Sequence, residues 1–412
     1  MSLLVRKISE ILTLEGASKK QARHILESDL GLKKNQALWI AGGKIKWIGN
    51  DQKIPKEALK TVRKEILANG KTILPGFVEC HTHSVFAGSR SAEFEKICQG
   101  ISYSEISASG GGILSTVKQT RKISALELLK KTQAHVNRFI AQGVTSLEIK
   151  SGYALNLKDE IKMLEVAGQL KGPRIIRTFL GAHAKPPEFL SYADYLFELQ
   201  NKVLPLIQKK KLAERVDIFI EKGFFTQDIA ERYLQFAKQL GFSLAIHADQ
   251  LTLSGGADTA VTLAAMSADH LIQIQDPQIK KLAASEVTCV LLPAADLYLK
   301  CAYPPARKLI EAGARVALAT DFNPGSSPTQ DLALVGMLAR LEMKMSLAEV
   351  ISAYTVGASF ALGMQNEIGS LENGKSADFL ITKKSWKDLF YSVGDMGIEE
   401  TFLKGRKLNN AL

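Results

Sequence analysis

The feature that most constrains the fold is a unit repeated through the middle of the chain: an amphipathic helix, a glycine at its end, then a short apolar strand rich in β-branched residues. In the clearest copy, Ser124 and Glu127 form a capping-box pattern, and Leu128, Thr132, Val136 and Phe139 recur at helical spacing. Gly143 can stop that helix because glycine accepts the left-handed backbone of a helix C-terminus, and Val144 to Lys150 reads as strand. Gly241 and Gly313 play the same part ahead of SLAIH and RVALAT.

Eight strands follow: Phe77 to Cys80, Val144 to Lys150, Arg174 to Leu180, Val216 to Glu221, Ser243 to His247, Ala268 to Leu271, Val287 to Leu292 and Arg315 to Thr320. Strands alternating with helices imply right-handed parallel crossovers. Eight such units predict an α/β chain closed into a (β/α)8 TIM-like barrel rather than an open doubly wound sheet. The ends read differently. ALWIAGGKIKWIG is a hairpin turning at Gly42-Gly43, and GSLENGKSADFLI is a turn followed by a strand. The expected organisation is a small β-sandwich domain built from both chain termini, residues 1-74 and 361-412, with a catalytic barrel over 75-360 inserted between them.

At 412 residues and 46% hydrophobic the chain can bury a large core. Its net charge of +11 could serve an anionic partner. The lysine clusters at 209-211, 19-20 and 33-34 lack interleaved aromatics, however, so they read as solvated surface and no nucleic-acid partner is expected. Four cysteines without a CxxC pair fit a reducing compartment. No apolar run approaches the roughly 20 residues that span a bilayer, so a cytoplasmic protein with no membrane partner is expected.

Barrel active sites sit at the C-terminal ends of the strands, and this chain places its suspicious polar residues there. His81 and His83 end the first strand, two residues apart and so able to share a face. His183 follows the third strand, His247 ends the fifth, His270 lies on the sixth and Asp321 follows the eighth. Five of the seven histidines thus converge on one rim. His81, His83 and His247 supply imidazole nitrogens and Asp321 a carboxylate oxygen, a set suited to one zinc or iron ion with a position left for water. Such an ion brings the pKa of water to about 7. Asp321 can then carry the proton from water to a leaving nitrogen, while the unliganded His270 orients water or stabilises charge. Taken singly, His270 could instead be a core histidine and Asp321 an Asx-turn residue ahead of Asn323.

LPGFVECHTHSVFAGSR, the SGY after the second strand, FLGAHA, IHADQ, SADHL and ATDFNPGSSP together resemble the imidazolonepropionase family of the amidohydrolase superfamily, over nearly the whole chain. The resemblance implies hydrolysis of the cyclic amide of 4-imidazolone-5-propanoate to N-formimidoyl-L-glutamate in histidine degradation, with one Zn2+ or Fe3+ per subunit and a homodimer. It implies Arg90 for the propionate carboxylate, Tyr153 and His183 for the ring and its tail, and Gln250 near the metal. It adds Asn323, Gly325 and Ser326 from the loop after the eighth strand, and Tyr103. Arg90 suits a carboxylate because a guanidinium can grip both oxygens. Some family members carry glutamate where this chain has Gln250. Glutamine cannot act as a base, which leaves proton transfer to Asp321 and His270.

The alternative is another cyclic amidohydrolase or a nucleobase deaminase of the same superfamily. A two-metal member needs a bridging lysine at the end of the fourth strand, where this chain has Ile220-Glu221-Lys222. SGGG at 109-112 lacks the GK[ST] of a phosphate loop and reads as a site cover or turn. Cys80 reads as a small packing group, and His24 and His135 as structural.

Overall fold

The computed structural model describes residues 2–101, 105–106 and 110–408. Tyr103 and Ser109 lie outside the described residues. Eight parallel strands run in sequence order around one sheet: Phe77–Glu79, Val144–Lys150, Arg174–Ala182, Arg215–Ile220, Ser243–Ala248, Ser267–His270, Thr288–Leu291 and Arg315–Leu318. These are the strands expected from the helix–glycine–strand unit, with ends displaced by one or two residues. Such shifts are normal, because the outermost hydrogen bonds of a strand depend on its neighbours.

The repeated unit is visible in detail. Helix Ala125–Ala141 starts where Ser124 Oγ accepts the Glu127 N–H, and it buries Leu128, Thr132, Val136 and Phe139. Gly143, Gly241 and Gly313 each end a turn at φ 90°, a conformation costly for any residue with a Cβ. The sheet is nearly a closed barrel, and its seam is made by the segments that carry the suspected site. Asp321 N–H donates to His81 O at 3.2 Å, His83 N–H donates to Phe322 O at 2.9 Å, and Thr82 bridges to Phe322 in parallel. Closing the barrel therefore brings the ends of its first and last strands together.

Both chain ends contribute to a second, mixed sheet of Ser2–Leu12, Leu32–Ala41, Lys44–Asn50, Lys64–Leu67, Thr72–Pro75, Phe379–Thr382, Ile398–Leu403 and Arg406–Lys407. The long strand Ser2–Leu12 organises it. One edge pairs with Leu32–Ala41, while the other pairs first with Lys64–Leu67 and then, beyond an irregularity between Val5 and Ile8, with Thr72–Pro75. The predicted hairpin turns on Gly42 and Gly43, both at positive φ. Arg174 ties this sheet to the barrel, donating to Asp378 Oδ2 and Ser146 Oγ at 2.9 Å each. Among the described residues no helix is long and apolar enough to cross a membrane.

Candidate metal centre

Three imidazoles meet at the barrel seam. The ring nitrogens of His81, His83 and His247 that could hold an ion all lie within 4.8 Å of one another. Asp321 Oδ1 stands 3.4 Å from both His81 Nε2 and His83 Nε2, and His247 Nε2 stands 3.3 Å from His83 Nε2. The far sides of two rings are fixed by carboxylates: His81 Nδ1 donates to Asp269 Oδ2 at 2.6 Å and His247 Nδ1 to Asp217 Oδ1 at 3.1 Å. A proton held at Nδ1 leaves the Nε2 lone pair aimed at the common centre, the usual way a protein prepares a histidine ligand.

Two observations test the fit of a metal. His81 Nε2 and Asp321 Oδ1 are fully buried and have no hydrogen-bond partner among the described residues. A buried acceptor left unsatisfied costs about 1–3 kcal/mol, and here such atoms converge on one point. The protonation states of His81 and His83 agree. Burial holds His81 and His83 well below the ordinary histidine range, so both are neutral donors. Burial also opposes charge on Asp321, but the adjoining His81 ring, 3.4 Å away, and the other rings around it outweigh burial and keep its carboxyl low. For His247, burial is overcome by the adjoining Asp217 carboxylate, which raises it. Three nitrogens and one carboxylate oxygen suit zinc or iron.

Above this centre lies a cavity lined by His83, Arg90, Tyr153, His183, His247, Gln250, His270, Asp321, Asn323 and Ser326, with Ile113, Phe219, Leu251 and Leu299 as apolar wall. His183 donates Nδ1–H to Gly152 O at 3.1 Å and lies against the His83 ring, their centroids 5.0 Å apart. Burial lowers His270 to about 4, its Nδ1 has no partner among the described residues, and its backbone is held at φ 79°. Asp321 is likewise at φ 52°. Non-glycine residues kept in this region cost of order 1–3 kcal/mol and cluster at functional sites.

Arg90 is buried beside Gly325 and donates Nε–H to Glu93 Oε2 at 2.8 Å. A Cβ at Gly325 would fall 1.9 Å from Arg90 Nη1, so only glycine lets the guanidinium lie there. The Asx turn after the eighth strand is made by Asn323 and not by Asp321. Asn323 Oδ1 accepts the Gly325 and Ser326 N–H groups at 2.8 Å each, and its Nδ2 donates to Asp321 O and Ser326 Oγ. Asn323 thus spends its amide shaping the loop around Arg90 and Asp321.

Sequence reasoning missed the residues that brace the candidate site. Glu79 accepts N–H groups from His81 and Thr320, stapling the first strand to the eighth, and burial pushes it up to about 8. Glu221 accepts the Leu251 and Thr252 N–H groups and so fixes the loop bearing Gln250. Glu93 joins Arg90 to the glycine-rich loop by accepting Gly112 N–H at 3.2 Å, where that loop enters helix Ile113–Lys122. A partial signal was available: Glu79, Asp217 and Asp269 are acidic residues within the predicted barrel strands, and carboxylates are rarely buried unless paired. Lys222 is exposed and outside the cavity lining, which removes the support for a lysine-bridged second metal. Cys80 packs among apolar neighbours such as Val78 and Val290, and His135 bonds the Ser84 carbonyl and stacks on Phe86.

A parallel barrel with three histidines and an aspartate at its C-terminal rim defines a metal-dependent hydrolase of the amidohydrolase type. The profile of the amidohydrolase family matches residues 72–408. The imidazolonepropionase of Bdellovibrio bacteriovorus is 59% identical over 413 aligned residues, covering 100% of this chain and 98% of its own length. That of Geobacillus kaustophilus is 41% identical, with 98% of this chain and 97% of its own covered. Among solved structures, Escherichia coli guanine deaminase superposes with a TM-score of 0.71 at 16% identity, covering 99% of each chain. A zinc-bound adenosine deaminase from Xanthomonas campestris reaches 0.70 at 16% identity, with 98% and 92% covered. These two share the fold. The chain belongs to the amidohydrolase family and, within it, to the imidazolonepropionases.

Proposed function

We propose that this chain opens the ring of 4-imidazolone-5-propanoate by hydrolysis, giving N-formimidoyl-L-glutamate, at the cavity over His81, His83, His247 and Asp321. The observation that carries this reading is the pairing, at one cavity, of unpartnered metal-donor atoms with a buried arginine poised for a carboxylate. One Zn2+ or Fe3+ ion, held by those four residues, would polarise the ring carbonyl and bring water's pKa to about 7.

The chain's own residues supply the rest. Arg90, braced by Glu93 and lying over Gly325, grips the propionate through its guanidinium fork. With Nδ1–H committed to Gly152 O, His183 presents Nε2 as an acceptor for a ring N–H. Tyr153 and the wall of Phe219, Leu251 and Leu299 flank the ring and keep bulk water away. Gln250 and Ser326 offer hydrogen bonds without proton transfer. Water adds to the ring carbonyl carbon, the ring C–N bond breaks and the nitrogen departs protonated. Asp321, kept as a carboxylate, takes the proton from water and returns it to that nitrogen. His270, neutral at pH 7, positions the water by hydrogen bonding.

The test follows loss of the imidazolone chromophore with purified protein before chelation, after it, and after metal is restored. Turnover that vanishes on chelation and returns with zinc or iron is expected. No turnover by metal-replete protein would remove the substrate, and turnover indifferent to complete metal removal would remove the mechanism.

A further inference from the structure

Beneath the metal centre lies a charge that the reaction above does not use. Lys150 ends the second barrel strand with a side chain of 0% exposure, and its Nζ lies 2.9 Å from Glu148 Oε1, 2.9 Å from Asp217 Oδ2 and 3.9 Å from Asp269 Oδ2. Asp217 and Asp269 belong to the fourth and sixth strands, which do not neighbour the second in the sheet, so the ammonium stands inside the barrel. Each partner leads to a ligand. Asp269 Oδ2 accepts His81 Nδ1–H, and Asp217 accepts His247 Nδ1–H. Glu148 Oε2 accepts the N–H of Thr82, between His81 and His83, and the Lys150 N–H itself donates to Thr82 O at 2.9 Å. One cation therefore touches the carboxylates behind two of the imidazoles, His81 and His247, and the backbone between His81 and His83.

We propose that Lys150 is a positioning residue of the metal site, its buried ammonium locking the carboxylates that orient His81 and His247, so that loss of its charge weakens metal binding although no ligand is altered. This rests on the reading of the four ligands given above. Burial pulls the Lys150 ammonium down, and Asp217, Glu148 and Asp269 overcome it and hold it above the ordinary lysine range. Burial likewise resists charge on Asp217, while His247 and Lys150 hold it well below the usual carboxylate range. A cation and carboxylates buried together without function would be disfavoured, since apolar residues of like volume are often neutral or better for stability. Carboxylates behind histidine ligands set their orientation and basicity, and losing one costs about 10–100-fold in metal affinity.

The experiment strips the purified full-length protein, then measures Zn2+ affinity by competition with a chromophoric chelator for wild type, Lys150→Gln and Lys150→Met. It records the visible absorption of Co2+-loaded protein in parallel. Both variants are expected to bind Zn2+ about 10–100-fold more weakly per folded chain and to shift the Co2+ bands. Lys150→Gln keeps a hydrogen-bond donor, so a folding failure of Lys150→Met leaves the measurement intact. Affinity within twofold of wild type and an unchanged Co2+ spectrum, with only a lower Tm, would reduce Lys150 to packing. Wild-type protein that binds no Zn2+ would instead overturn the metal centre itself, a distinguishable failure.

Discussion

The terminal sheet and the barrel interior are both buried β-structure, built on opposite chemistry. The sheet encloses Leu3, Val5, Ile8, Leu38, Ile73, Phe379 and Phe402, all apolar, with Phe379 and Phe402 stacked at 4.4 Å. The barrel buries Glu79, Glu148, Lys150, Asp217 and Asp269 in the layer that carries its histidines. Apolar burial contributes roughly 25 cal/mol per Å² whatever the partner, so a sheet core tolerates many sequences. Buried charges contribute only if each finds its partner, so the barrel interior demands particular residues at particular places. The first region stabilises the fold; the second gives up stability to hold a site.

That contrast can be broken at several points. Asp321→Asn removes the proposed proton carrier and one proposed metal donor, and kcat should fall on the order of 10³-fold in the chromophore assay. A variant retaining more than a tenth of wild-type kcat would refute its role. In the sheet, Phe379→Ala should cost about 3–5 kcal/mol by denaturant titration while leaving Zn2+ affinity per folded chain unchanged. A loss of metal affinity there would erase the distinction between the regions.

The pH dependence of the metal-free protein sharpens it further. Burial depresses His270 from 6.5 to about 4, so between those values the unfolded chain binds the proton that the folded chain refuses. Stability is full above pH 6.5 and declines toward pH 4, by about 3 kcal/mol for this residue. His270→Gln should flatten the decline by that amount in denaturant midpoints measured across the window. A slope identical to wild type would show that His270 is not desolvated.

The smallest effects belong to the proposed substrate contacts. Gly325→Ala pushes a methyl into the Arg90 guanidinium and should raise KM about tenfold with kcat nearly kept. Gln250→Ala should raise KM a few-fold, and a large fall in kcat at unchanged KM would instead give Gln250 a part in the chemistry.

Much of this was legible before any coordinate. Helical spacing followed by Gly143, Gly241 and Gly313 marks strands locally, because the left-handed turn needs glycine whatever surrounds it. His81, His83, His247 and Asp321 stood out because barrel topology alone places strand ends on one rim. Asp217, Asp269 and Lys150 show their charge in the sequence but not their partners. Their meaning lies in 2.6–3.9 Å contacts among the second, fourth and sixth strands and with the rings above them, separations fixed only when the barrel closes. Local backbone preference and hydrophobic period thus set the elements, their order and the ligand types from sequence alone. The tertiary structure decided which nitrogen of His81 and of His247 faces the shared centre, because that depends on pairings with Asp269 and Asp217, residues far apart in the chain.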